Sequence, residues 1–284
     1  MLTATPNKKE FYYRLIITST VLVIIGLLVS FAYYPWVNLL LLLTVALLTA
    51  LGVWEYAQMA QCKGSRPSAG LMIGVAISVI AALYASFNDL PGSQLTLLLL
   101  VLGFASLFIN RFRNPKNALL NIAVEFFGIC YLVIPFGFML IILYPHSPTE
   151  DGRWWLLYLI VVTKAADIGG YLVGKCIGKH RLAPYVSPSK TVEGAIGGFV
   201  LALFISFLFS NMTILKGLSI GKGLWLGSLI AILSQLGDLA ESVFKRDAAI
   251  KDSNEIPGIG GILDMMDSIF FTAPAVYFFI RSIQ

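Results

Sequence analysis

LLNIAVEFFGICYLVIPFGFMLIILY, residues 119–144, decides the fold class, because 26 consecutive residues carry one charge, Glu125. As a helix rising about 1.5 Å per residue this run is about 39 Å long, more than the ~30 Å hydrocarbon core of a bilayer. Its apolar residues are continuous rather than alternating, which points to a spanning helix and away from a barrel strand. Eight further runs read the same way, at approximately 11–33, 36–60, 69–88, 93–110, 154–174, 193–215, 223–244 and 262–283. The reading is therefore an all-α, polytopic integral membrane protein of about nine transmembrane helices.

Composition agrees. Of 284 residues, 58% are hydrophobic and 12% charged, where a soluble domain carries about a quarter charged; a water-soluble globular domain is excluded. The first run follows Lys8, Lys9 and Arg14 as a signal peptide does, but it is long and ends in Phe31-Ala32-Tyr33-Tyr34 without a small-residue cleavage site, so it reads as a retained anchor. Cys62, Cys130 and Cys176 are scattered, with no spacing for zinc or a disulfide framework, and read as structural.

The formal charge of +5 is a matter of topology rather than of nucleic-acid binding. If the nine helices alternate, one side receives only Arg153, Lys216, Lys222 and Arg281. Lys164 falls within a span, and every other Lys and Arg lies on the opposite side. That bias puts the N-terminus in the cytoplasm and the C-terminus outside. A miscounted helix would scramble it.

Function concentrates in the second half. Residues 1–144 read as a scaffold of five helices, with Glu55 and Glu125 as their intramembrane acids and helix–helix contact as their expected role. Residues 145–284 supply four helices, clustered glycines, longer cytoplasmic loops and the acids Asp167, Glu193, Asp238, Glu241, Asp264 and Asp267 in or beside apolar runs. With the orientation above, all the membrane acids lie toward the cytoplasmic side.

An ionised Asp in hydrocarbon costs about 2.5–3.5 kcal/mol on insertion scales, so such residues are paired, metal-bound or line a wet cavity. Asp238/Glu241 and Asp264/Asp267 are each spaced i, i+3, which places both members on one helix face. Oxygen ligands from facing helices suit a hard cation such as Mg²⁺ bridging to substrate phosphates. The competing reading makes the acids ion-pair partners of Lys164, Lys245 and Arg246, and it is most serious for Asp167, whose i, i+3 neighbour is Lys164.

Candidate phosphate-binding elements flank these helices. Ser187-Pro188-Ser189-Lys190-Thr191-Val192-Glu193-Gly194 opens the seventh span, where a helix N-terminus presents free N–H groups; it reads equally as an anion site or a plain N-cap. Pro257-Gly258-Ile259-Gly260-Gly261 precedes the ninth and reads equally as a close backbone approach to phosphate or an ordinary turn. Gly170, Gly174 and Gly178 recur every four residues, as small residues do where membrane helices pack.

From Ser242 onward, SVFKRDAAIKDSNEIPGIGGILDMMD resembles the signature of the phosphatidate cytidylyltransferase (CDP-diacylglycerol synthase) family, S-x-x-K-R-x4-K-D, then P-G-H-G-G, then D-R-x-D. Ser242, Lys245, Arg246, Lys251, Asp252, Pro257, Gly258, Gly260, Gly261, Asp264 and Asp267 match it. Ala166-Asp167 through Gly174-Lys175 to Gly178-Lys179, and Ser187-Pro188 with Lys190-Thr191 and Gly194, fit the family as well. The resemblance covers roughly 155–284, and the N-terminal half matches only as apolar helices. Ile259 stands where the commoner pattern has His, and Met265 where it has Arg, so the chemistry here does without both.

The resemblance implies transfer of the cytidylyl group of CTP to phosphatidate, giving CDP-diacylglycerol and pyrophosphate, in a multi-pass protein of the inner (cytoplasmic) membrane with its active site facing the cytoplasm. It implies catalytic roles for Asp238, Asp264, Asp267, Lys245 and Arg246. Substrate contacts would come from Lys175, Ser187, Lys190, Thr191, Lys251, Asp252, Gly260 and Gly261. Mg²⁺ is the expected cofactor, held by Asp238, Asp264, Asp267 and Asp167, and a second cation and a homodimer are both compatible with the reading. A CTP-dependent polyprenol or phytol kinase and a cation or proton transporter are the alternatives. A CDP-alcohol phosphotransferase would need D-G-x2-A-R, which the chain lacks.

Overall fold

The structure, a computed structural model, describes residues 26–88, 92–145, 151–212, 214–250 and 261–283. Within them it is an all-α polytopic membrane protein. A short helical stretch over 26–30 is followed by α1 (Pro35–Cys62), α2 (Ala69–Ala85), a 3₁₀ turn (Ser86–Asn88), α3 (Gly92–Arg111) and α4 (Ala118–Leu143). Then come α5 (Gly152–Ile177), a hairpin of β1 (Arg181–Ala183) and β2 (Ser187–Thr191), α6 (Val192–Asn211), α7 (Ile220–Asp247) and α8 (Ile262–Ile283). Seven of these helices are long and apolar enough to cross a bilayer; α2 is apolar but has 17 residues. Most of the predicted first span, 11–33, lies outside the described residues.

Helix starts follow local chemistry. Pro35 sits in the first turn of α1, where its missing N–H costs nothing. Asp151, Thr191 and Ser219 precede α5, α6 and α7, and each accepts a hydrogen bond from a first-turn N–H. The hairpin was not expected from the all-α reading. Residues 187–191 contain Pro188 and two Ser and show no strand-like alternation, yet they pair antiparallel with 181–183, with Arg181 opposite Thr191 and Ala183 opposite Ser187.

Polarity is inverted relative to a soluble protein. Leu119, Leu97, Ile196 and Phe278 stand more than half exposed, whereas Glu55, Glu125 and Glu241 are at most 1% exposed. Lipid-facing apolar residues around paired internal acids are what a hydrocarbon solvent demands. All three cysteines are free thiols.

α5 packs closely against α6. A Cβ on Gly198 would stand 2.5 Å from the Ala166 carbonyl oxygen, so glycine is what lets the two backbones touch. Gly170 and Gly174 face the first turn of α6 at Gly194, in keeping with the packing role read from their spacing. The N-terminal half closes over α8: Tyr131 of α4 packs its ring on Phe270 of α8, and Leu132 packs against Gly52 of α1.

Both acids of the N-terminal helices hold other elements. Glu125 of α4 pairs with Arg111 of α3 and accepts from the Ser68 N–H, 2.7 Å, just before α2. Glu55 of α1 accepts from the N–H groups of Ile262 and Leu263, at 3.0 Å each, and so caps α8 from a distant part of the chain. Replacing Glu55 by Leu strands two buried N–H groups at about 1–3 kcal/mol apiece. We expect a drop of several degrees in detergent melting temperature, read by fluorescence, and a smaller drop for Glu55→Gln, whose amide oxygen still accepts one bond.

Candidate active site

The site is built where α5, α7 and α8 converge under the hairpin. α7 and α8 approach closely at Gly237, where a Cβ would lie 2.3 Å from the Asp267 carbonyl oxygen and 3.2 Å from the Ser268 Cα. That contact brings Asp238 of α7 level with Asp267 and Ser268 of α8, and Asp167 of α5 completes the group.

Ser268 is the hub. Its fully buried hydroxyl lies 2.7 Å from Asp238 Oδ1, 3.1 Å from both carboxylate oxygens of Asp167 and 3.1 Å from Asp267 Oδ1. A single hydroxyl proton serves one acceptor at a time, so the site gathers three carboxylates around fewer donors than they can use. Further donors enter from the sides. Ser234, one turn before Asp238, donates to Asp167 at 2.9 Å, and the Ser268 N–H donates to Asp267 at 2.6 Å.

Two lysines neutralise part of this charge. Lys164 donates to Asp167 at 3.0 Å and to the Met265 carbonyl at 3.0 Å, and Lys190, at the end of β2, donates to Asp238 at 2.7 Å. The ion-pair reading of Asp167 is thus realised, together with a shared carboxylate cluster. Among the described residues no three acid, imidazole or thiol groups stand ready as a metal-coordinating set; the outer oxygens of Asp167 and Asp238 hold the two ammonium groups.

A second acid tier lies one turn toward the start of α8. Lys245 bonds both Glu241 of its own helix and Asp264 of α8, and Asp264 also accepts from the Gly261 N–H at 3.1 Å. The i, i+3 spacing therefore does not keep each pair in one cluster. Three residues turn a helix by about 300°, leaving partners about 60° apart and one turn displaced. Asp238 and Asp267 join Asp167, while Glu241 and Asp264 join Lys245. Of the four acids read as one set in the sequence, Asp167, Asp238 and Asp267 meet on Ser268, and Asp264 lies beside Lys245.

The hairpin roofs the site. Thr191 caps α6 through the Gly194 N–H, 3.1 Å, which realises the N-cap reading of that motif, while the neighbouring Lys190 points its side chain at Asp238. Glu193 accepts from the N–H groups of Lys179 and His180, at 3.0 and 3.2 Å, and fixes the hairpin's entry. Arg246 donates from Nε to the Val186 carbonyl at 3.0 Å and so tethers the hairpin.

A cavity of about 480 Å³ opens beneath, lined by Asp167, Asp238, Lys175, Lys190, Thr191 and Gln235 among others. That is within the usual range for a small-molecule site. The structure thus brings Asp167, Lys175, Lys190, Thr191 and Asp238 to one cavity, with Asp267 joined through Ser268. Ser187 is buried in β2, and Gly261 serves Asp264. Lys251, Asp252, Gly260 and the departure at Ile259 lie outside the described residues. Sequence reasoning missed Ser234, Gln235 and Ser268. Ser234 stands four residues before Asp238, on the same face, and Ser268 adjoins Asp267, which were the available signals.

Comparison with known proteins finds a match over residues 14–283 to the model of the cytidylyltransferase family. The chain is 34% identical to the phosphatidate cytidylyltransferase of Chlamydia pneumoniae, over 97% of this chain and 93% of that protein. It is 34% identical to the Haemophilus influenzae protein of the same name, over 93% and 96%. A Synechocystis protein, also so named, is 34% identical over 83% and 86%.

Proposed function

The chain belongs to the cytidylyltransferase family, and we propose that the three-carboxylate cluster is where it transfers the cytidylyl group of CTP to phosphatidate. The products are CDP-diacylglycerol, for phospholipid synthesis, and pyrophosphate. The lipid-kinase and transporter alternatives lose ground to relatives that are all named for this transfer. The observation that carries the placement is the meeting of Asp167, Asp238 and Asp267 on Ser268 at the edge of a cavity that also holds Lys175 and Lys190.

The chemistry asks for positioning more than for a base. The phosphatidate phosphate is an anion at neutral pH, so one of its oxygens attacks the α-phosphorus of CTP directly. The bond from that phosphorus to the oxygen bridging to the β-phosphorus breaks, and pyrophosphate leaves with the electron pair. Lys190 and Lys175 offer ammonium donors to the triphosphate, Lys190 exchanging its bond to Asp238 for one to a phosphate oxygen. Such preplaced cations counter the charge gathering on the leaving group.

Three carboxylates meet on one hydroxyl, and such hard oxygen ligands are the kind Mg²⁺ takes once Lys164 and Lys190 give up the outer oxygens of Asp167 and Asp238. Asp167, Asp238 and Asp267 are the residues that would hold it, and bound there it would supply neutralisation of phosphate charge. Asp264 and Lys245 set the start of α8 beneath the cluster and act as positioning residues.

Charge supports a side of the membrane. The bias of Lys and Arg supports a cytoplasmic N-terminus, an external C-terminus, nine spans and a cavity open to the cytoplasm, where CTP is found. The inner membrane of a bacterial cell is the corresponding location. Residues 1–144 act in this reading as the scaffold for 145–284, with Glu55 as the tie between them.

The test is purified protein in detergent with phosphatidate and CTP, following pyrophosphate release. Release should cease on chelation and return with Mg²⁺, and Asp267→Asn should shift the Mg²⁺ dependence to about 10–100-fold higher concentration. Full release in the presence of chelator, or an unmoved Mg²⁺ curve in the variant, contradicts the metal assignment.

A further inference from the structure

A second concavity lies on the outer side of Lys164. It measures about 290 Å³ and is lined by Leu157, Val161 and Ile168 of α5, Leu201 and Ile205 of α6 and Gly26 of the short N-terminal helical stretch; Lys164 is the charged residue in its lining. From Leu157 to Ile168 it follows α5 for about 16 Å, near half the thickness of a hydrocarbon core, the depth of one leaflet. Val161 and Ile168 are exposed on its rim, so it opens toward the lipid.

Lys164 connects this groove to the reaction cavity. Its ammonium bonds Asp167, which lines the 480 Å³ cavity, while Lys164 itself lines the groove. Its two described bonds, to Asp167 and the Met265 carbonyl, occupy two of the three donors an ammonium has. The groove is therefore an apolar trough of leaflet depth whose wall includes Lys164, and the ammonium of that lysine bonds the carboxylate cluster.

We infer that the groove between α5 and α6 seats an acyl chain of phosphatidate and that the third Lys164 donor meets the lipid's phosphate. The two substrates then reach the cluster from different sides. CTP enters through the hairpin-roofed cavity, and the lipid enters sideways from the membrane, its chain in the groove and its phosphate at Lys164 beside Asp167. Charge complementarity selects the occupant: an anionic monoester phosphate suits a partly desolvated ammonium better than a zwitterionic headgroup does. Lys175 and Lys190, in the other cavity, are left to the triphosphate.

This inference rests on the proposed transfer reaction, and the experiment separates the two. Val161→Trp and Ile205→Trp place bulk in the groove from its apolar walls, away from the cluster. Pyrophosphate release is measured with long-chain and with dihexanoyl phosphatidate. The expected result is a KM for long-chain phosphatidate raised tenfold or more, with KM for CTP and the kcat for the dihexanoyl lipid within about twofold of wild type.

Because a tryptophan variant can fold poorly, unaltered protein is also photolabelled with phosphatidate carrying a diazirine in its acyl chain, and the labelled peptides are mapped. Label on 157–168 and 201–205, at least fivefold above that from an equally labelled phosphatidylcholine, supports the groove. Equal labelling by both lipids makes it ordinary lipid-facing surface and overturns the inference, as does an unchanged long-chain KM in folded variants. No pyrophosphate from wild type with any phosphatidate would instead sink the transfer reaction itself.

Discussion

Asp238→Asn lowers kcat for pyrophosphate release by about 10²–10³-fold, the usual consequence of removing one preplaced electrostatic group from a reacting centre. The substitution keeps the shape of the side chain and its bond to Ser268, 2.7 Å, but removes the charge that holds Lys190. The protein should remain folded, because Asp238 is only partly buried and opens on the cavity. Other ion pairs behave differently. Lys63 and Asp247 pair at 2.8 Å with side chains 50% and 65% exposed, and Lys63→Ala should leave both melting temperature and kcat close to wild type. A loss in Asp238→Asn no larger than in Lys63→Ala would remove Asp238 from the centre.

Gly237→Ala produces a comparable loss by a different route. The added methyl would stand 2.3 Å from the Asp267 carbonyl oxygen and 3.1 Å from its carbon, and both are backbone atoms that no rotamer change moves away. α7 and α8 must separate, and the separation falls at the level of the carboxylate cluster. Overpacking of this kind costs about 1–3 kcal/mol of stability, and displacement of about 1 Å at a reacting centre can cost 10²-fold in rate. Gly221→Ala, near the start of the same helix and with nothing within 4 Å of the new methyl, is the control and should retain near wild-type activity. Purified Gly237→Ala that melts and turns over like the control would show that the helices do not meet as described.

Much of this site was legible in the sequence because acids are costly in hydrocarbon. Asp167, Asp238 and Asp267 announced themselves as charges in apolar runs, and the three helices that carry them do converge. Ser268 and Ser234 gave no such notice. A serine in a membrane helix commonly satisfies its hydroxyl on its own backbone one turn back, as Ser228 does here at 2.8 Å, so its type alone does not mark a hub. The division of the i, i+3 pairs between two tiers needed the rotation of α7 against α8, which Gly237 sets and spacing alone does not.

Glu55 was read as contact between helices, and so it is, but its partners are the first N–H groups of α8, more than 200 residues along the chain. Its role is tertiary, and no local pattern encodes it. The same holds for Arg246. A basic residue after an apolar run suggests a phosphate ligand, and nothing local to it announces that its Nε also tethers the tip of a hairpin whose strands lack alternation. Lys164, the membrane lysine without an evident task in the sequence, gains one from geometry, since it lines one concavity and bonds the acid that lines the other.

Following the phosphorus atoms of CTP tests the central claim most directly. Wild-type protein with phosphatidate and Mg²⁺ is supplied with CTP labelled either at the α- or at the γ-phosphorus, and the lipid extract and aqueous phase are counted. Cytidylyl transfer at the carboxylate cluster predicts α-label in the lipid, γ-label in pyrophosphate, and loss of both signals in Asp238→Asn. Label from the γ-phosphorus in the lipid, as a lipid kinase would leave it, or α-label transferred undiminished by Asp238→Asn, would contradict the account.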